Sequence, residues 1–204
     1  MDKITSEKPI PWLTTKRIEA LVDGVFAISM TLLVVNFHIP TVTQKVANEL
    51  PSKLMLSFWP NFLSYAISFI LLAVFWMIHH KQFRSIKRVN EPFLWINILG
   101  LMFIALIPFS TYLLGEYGEL RPTVLLFECN MLIIGLIFYI QWWYASSKHR
   151  LIDANVSSRE IIAAGRKSLL VPITSLFAIT VSLFIPQWGP LVYLLIPFLH
   201  KTID

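Results

Sequence analysis

An all-α, polytopic membrane protein with six transmembrane helices in each subunit is the fold class this sequence predicts, on three observations. Its 204 residues are 56% hydrophobic and only 14% charged, with mean hydropathy +0.66, whereas soluble domains carry about 25% charged residues. Apolar runs long enough to span a bilayer recur along the chain without a polar block between them, which predicts one domain over residues 1–204. Lysine and arginine concentrate in alternate links between those runs, as cytoplasmic loops do.

Crossing about 30 Å of hydrocarbon takes roughly 20 residues of helix at about 1.5 Å each. Segments 18–39, 54–78, 93–114 and 124–145 meet that length, each bounded by proline, charge or both, and 168–185 is shorter but nearly free of charge. The sixth segment, 188–203, follows the tight turn Pro-Gln-Trp-Gly-Pro at 186–190 and is strongly apolar only over 191–199. It is long enough for a thinned bilayer or for leaning on neighbouring helices, and an interfacial or re-entrant course is the alternative. All seven tryptophans fall near segment ends, where an amphipathic ring suits the headgroup layer. The polar stretch 146–167, with Asn-Val-Ser-Ser-Arg-Glu inside it, predicts a short cytoplasmic helix capped by a serine.

Six crossings put fourteen Lys and Arg on one side and only Lys45, Lys53 and Arg121 on the other. Both termini are then cytoplasmic, provided the sixth segment crosses. The net charge of +5 and pI near 9.4 follow from those basic loops and call for no nucleic acid partner. The single cysteine, Cys129, excludes an internal disulfide and a cysteine-based zinc site. The polar N-terminus, MDKITSEKPIPWLTTKR, is not followed by a short apolar stretch with a cleavage site, so the first apolar segment is expected to stay in the mature protein.

Ionisable groups inside a membrane are costly and ask for a reason. Asp23 lies about one and a half turns into the first segment and reads either as an interfacial carboxylate or as a buried partner of a neighbouring helix. Arg17 is six residues earlier, off that face, so contacts must come from elsewhere: Trp76, His79 and His80 at the end of the second segment, and Asn97 near the start of the third, lie at a similar depth. Glu128, about one turn inside the fourth segment, reads as a water-facing or hydrogen-bonded acid, with a proton relay as the sharper option. Adjacent His79 and His80 point about 100° apart and do not converge on one ion, and His38, His149 and His200 lie elsewhere. No metal centre, no cofactor and no catalytic constellation is therefore expected, and the chain does not read as an enzyme.

In the first segment Gly24, Ile28, Thr31 and Val35 recur at helical spacing, flanked by Leu32, and form one uncharged stripe. By spacing alone this is a packing face or a pore wall. Arg17-Ile-Glu-Ala-Leu-Val-Asp23, followed by Gly-Val-Phe-Ala-Ile, resembles the first-helix signature of the transmembrane protein 175 family of potassium channels. Further likeness lies in Phe75-Trp76-Met77-Ile78-His79-His80, in Asn97 and in Ile107-Pro108-Phe109, so it covers the first half of the chain well and the second half mainly by helix count. Leu21-Val22 stands where the family has Phe-Ser, which removes an aromatic ring and a hydroxyl.

The resemblance implies a homotetramer of six-helix subunits around a central pore, in a prokaryotic cell membrane, with potassium as the permeant ion and membrane lipid and further copies of itself as partners. It implies that Ile28 forms a hydrophobic constriction, with Thr31, Leu32 and Val35 further along, and that Arg17, Asp23, Trp76, His79, His80 and Asn97 form a network holding the first helix. The Thr-Val-Gly-Tyr-Gly carbonyl filter is missing from the sequence, so selectivity, strong or weak, must arise from hydroxyl and apolar rings. A secondary transporter would need paired helix breaks in corresponding halves, which are not visible; a non-conducting membrane subunit is the other alternative.

Overall fold

The computed structural model describes residues 14–35 and 51–202. His38, Lys45 and the basic residues before Thr14 lie outside these, as do residues 36–39 of the first predicted segment. Among the described residues the regular elements are helices: α1 (Thr15–Val35), α2 (Pro51–Ser85), α3 (Glu91–Ala105), α4 (Ile107–Tyr117), α5 (Arg121–Ser146), α6 (Ser158–Phe184) and the short α7 (Ile196–Thr202). Five helical stretches, with α3 and α4 counted as one, are long and apolar enough to cross a membrane. The chain is an integral membrane protein.

Where observed boundaries differ from the predicted ones, the cause is local. α2 runs to Ser85 instead of ending at 78, because Lys81, Gln82 and Arg84 end the apolar run but not the backbone hydrogen bonding. His79 and His80 therefore sit inside a helix rather than at its end. The third segment breaks at Leu106, where the ring of Pro108 removes a backbone donor, and the Leu106 N–H bonds back to Phe103 and Ile104. α6 begins at Ser158, so the separate cytoplasmic helix expected within 146–167 is its first part. Its start is fixed by a capping box in which the Ser157 hydroxyl accepts from the Glu160 N–H at 3.3 Å and the Ser157 N–H donates to the Glu160 carboxylate at 2.8 Å.

The sixth segment is not one α-helix. Two 3₁₀ turns, Pro186–Trp188 and Pro190–Leu195, precede the seven-residue α7. The stretch from Pro190 to Thr202 spans roughly 23 Å, short of about 30 Å of hydrocarbon. Prolines 186 and 190 favour this tighter winding by withholding backbone donors.

α5 and α6 pack together more extensively than any other two described helices, and Gly135 helps them do so. A Cβ there would lie 2.6 Å from Pro172 Cδ and 3.1 Å from Pro172 N, so only glycine lets the two backbones approach. At one end of the bundle the α2–α3 and α5–α6 links clip together, through an isolated bridge of Ile86 with Ile152 and through Asp153 N–H donating to Ser85 O at 2.9 Å. The basic residues Lys87, Arg88, Lys148 and Arg150 gather at that end, as the charge count predicts. The core fills the space between helices with Phe26, Phe75, Phe93 and Phe127, all nearly or completely buried.

Candidate functional site

The faces of α1 divide sharply. Ile18, Val22, Phe26, Ser29 and Leu33 recur at intervals of three and four and are buried against α2, α3 and α4. The opposite face carries the predicted stripe. Ile28 is 60% exposed, Leu32 43% and Val35 70%, with Gly24 and Thr31 exposed beside them. Among the described residues no side chain approaches the missing Cβ of Gly24 within 4 Å. An apolar stripe left bare by its own subunit is open for other copies, lipid or a water-filled axis.

Thr31 donates its hydroxyl proton to the Ile28 carbonyl at 2.8 Å, one turn back in the same helix. The proton is thus engaged along the helix, and the oxygen presents its lone pairs on the exposed face. Chemically this is an acceptor, suited to a cation that has lost part of its water.

The candidate network assembles in two parts. Trp76 Nε1 donates to Asp23 Oδ1 at 2.8 Å, joining α2 to α1. On the same side of α2, one turn on, the His80 ring stacks on Trp76 with centroids 5.4 Å apart and planes 19° apart. His79 points elsewhere, into the subunit: it is buried, stacks on Phe83 at 4.1 Å, and its Nε2 lies 3.1 Å from Asn97 Nδ2. Asn97 has the donor, so His79 accepts there. The 100° step between neighbouring helical residues sends the two histidines into different roles. Arg17 is exposed at the start of α1 and, among the described residues, its side chain joins neither part. Asp23 combines features of both readings, since it is exposed and yet bonded to a neighbouring helix.

A family model described as endosomal/lysosomal potassium channel TMEM175 matches residues 17–108. A potassium channel of Chamaesiphon minutus is 34% identical over 85% of this chain and 86% of its own length. The chain belongs to the TMEM175 family. A potassium channel of Streptomyces collinus is 31% identical over 70% of this chain and 69% of its own length. A crystal structure of a lysosomal potassium-selective channel TMEM175 homolog from Chamaesiphon minutus superposes with TM-score 0.80 at 29% identity, covering 93% of this chain and 98% of that one. The TMEM175 match over 17–108 takes in the α1 stripe, Asp23, Trp76, both histidines and Asn97.

Reading the sequence did not reveal the other polar ties of this TMEM175 chain. Glu128 is fully buried, and its Oε1 accepts from the Ser182 hydroxyl at 2.7 Å, so it takes the hydrogen-bonded form of its two readings and not the water-facing one. Gln82 Nε2 donates to Ser168 Oγ at 2.8 Å, and Thr111 Oγ1 to Ser68 Oγ at 2.7 Å. Each tie joins residues more than forty positions apart. The only hint in the sequence is a polar residue inside an apolar run, which asks for a partner without naming it.

Proposed function

We propose that this chain is the pore-forming subunit of a potassium-conducting cation channel, four copies placing α1 around a common axis. The observation that carries the reading is the bare stripe of α1, with Ile28 60% exposed while the opposite face of the same helix is buried. Relatives named as potassium channels and matching most of this chain support it. Four Ile28 side chains form a narrow, dry ring that blocks ions when closed. Slight widening lets partly dehydrated potassium through, and Thr31 oxygens one turn along replace lost water. Sodium holds its hydration shell more tightly, so such a ring favours potassium modestly. The clustering of basic links at one end supports a cytoplasmic N-terminus in a cell membrane, and the C-terminus joins it there where the short last segment crosses a thinned bilayer.

The test is ion flux in liposomes under opposed potassium and sodium gradients. Ile28→Asn should raise the current and lower the selectivity. Unchanged conductance and reversal potential would remove Ile28 from the constriction, and a monomer in mild detergent and in nanodiscs would remove the shared axis.

A further inference from the structure

The bundle end opposite the basic links holds a pocket of about 550 Å³, inside the range of roughly 300–1,000 Å³ typical of small-molecule sites. Its apolar wall comes from three places: Trp59, Leu63 and Ile67 on α2, Leu114 on α4, and Pro190 and Leu191 where the last segment begins. Two close approaches fix those parts in the bundle, the first joining α4 to α2 and the second seating the last segment on α5 and α6. Gly115 lies so near Asn61 and Ser64 of α2 that a Cβ would collide with both, and Gly189 sits in the same way on Ser182 and Glu128. The pocket is thus bounded by backbone seated on backbone and side chain, and is preformed.

The polar lining has one sign. Glu116 and Glu119, both exposed, border the pocket, and no lysine or arginine lines it among the described residues. Tyr117 and Trp59 are 46% and 58% exposed at the same rim. Carboxylates with open aromatic faces attract a quaternary or primary ammonium group, through charge and through the ring quadrupole. The walls behind them suit an alkyl chain. Trp59, Tyr117 and Trp188 all belong to this end, which marks it as a headgroup layer, where one end of a ligand is wet and the other dry.

We propose that this pocket binds an amphiphile with an ammonium head, its chain against Leu63, Ile67 and Leu191 and its head beside Glu116 and Glu119. The chemistry is shared by ethanolamine and choline lipids and by soluble alkylammonium ions. The site is separate from the α1 stripe and does not rest on the channel reading.

The full-length protein in nanodiscs of phosphatidylglycerol, which lacks an ammonium group, is titrated with octyltrimethylammonium below its micelle concentration and followed by calorimetry. Octanol and octyl sulfate should bind at least tenfold more weakly. The double variant Glu116→Gln with Glu119→Gln should weaken octyltrimethylammonium about tenfold, since each exposed ion pair contributes up to about fivefold, and leave potassium flux unchanged. Leu191→Trp, which fills the pocket, should abolish binding. The double variant decides the matter alone if the filled pocket does not assemble. A second arm exchanges the lipid and reads co-purifying lipid by native mass spectrometry. Phosphatidylethanolamine or phosphatidylcholine retained by the wild type, lost in the double variant and displaced by octyltrimethylammonium identifies a lipid source; retention of neither, with the soluble ion still bound, identifies a soluble one. Equal binding of octanol, or full binding by the double variant, would overturn the proposal.

Discussion

Trp76→Phe should loosen α1 by a measurable and attributable amount. The Trp76–Asp23 bond of 2.8 Å is a side-chain hydrogen bond that ties α1 to α2. Hydrogen bonds to charged groups contribute about 1.5–3 kcal/mol. Asp23 is exposed, so solvent screening takes this one to the lower edge of that range or just below it, about 1–1.5 kcal/mol. That is close to tenfold in any equilibrium between a docked and a loosened first helix. Phenylalanine also removes ring area, and a double-mutant cycle with Asp23→Ala cancels that part. The coupling should come out near 1 kcal/mol in denaturant unfolding of the purified protein followed by helix content. Asp23→Asn keeps an acceptor oxygen and should lose about half as much as Asp23→Ala. In liposomes the same variants should change how often the channel opens and leave the potassium-to-sodium reversal potential alone, since neither residue lies on the stripe. A coupling below about 0.4 kcal/mol, the scatter of independent sites, would refute the idea that this bond holds α1.

Three further outcomes follow from the geometry. Thr31→Val keeps the shape of the side chain and deletes the acceptor oxygen, so potassium preference over sodium should fall while current persists, read from reversal potentials under bi-ionic conditions. Gly24→Ala meets no atom of the described residues within 4 Å and improves helix propensity by up to about 1 kcal/mol; subunit unfolding should be unchanged or slightly raised, and any loss of the proposed tetramer on size-exclusion chromatography then reports contact between copies. Ser182→Ala removes the partner of Glu128 Oε1 in a place where Oε2 already lacks one among the described residues, and should cost about 1–3 kcal/mol in the same unfolding assay.

The helices were legible because a bilayer demands about 20 apolar residues in a row, a constraint that shows in composition alone. Their ends were not, because hydropathy marks where the membrane stops rather than where hydrogen bonding stops. α2 carries on through Lys81, Gln82 and Arg84 into the aqueous side, and α6 starts ten residues before the predicted 168, at a capping box that the sequence does contain in Ser157 and Glu160. The stripe on α1 was legible because Gly24, Ile28, Thr31 and Val35 keep helical spacing. That this face rather than the one through Val22 and Phe26 lacks cover depends on α2, α3 and α4, whose placement no local pattern encodes. The partner of Glu128 was hidden for the same reason, since Ser182 lies 54 residues away; Trp76, 53 residues from Asp23, was within reach of the sequence only as one of four polar candidates at a similar depth.

The helix that carries the candidate pore is also the one its own subunit covers least. In the most apolar stretch of α1, 28% of residues are buried, against 44–50% in the other four spans. A helix facing only lipid would be served by large aliphatic residues all round. α1 instead places Gly24 and Thr31 on its bare face beside Ile28, and small or hydroxyl-bearing residues on an uncovered face favour close approach of helices or contact with water. The tie to α2 through Trp76 then has a use beyond stability. A rigidly buried helix has no freedom to widen a ring, whereas a helix held along one apolar face and pinned near its charged end can shift its far half with little repacking. Ile28, Thr31 and Val35 lie in that far half, beyond Asp23, and in the proposed four-copy arrangement a small displacement there would change the width of the axial opening most.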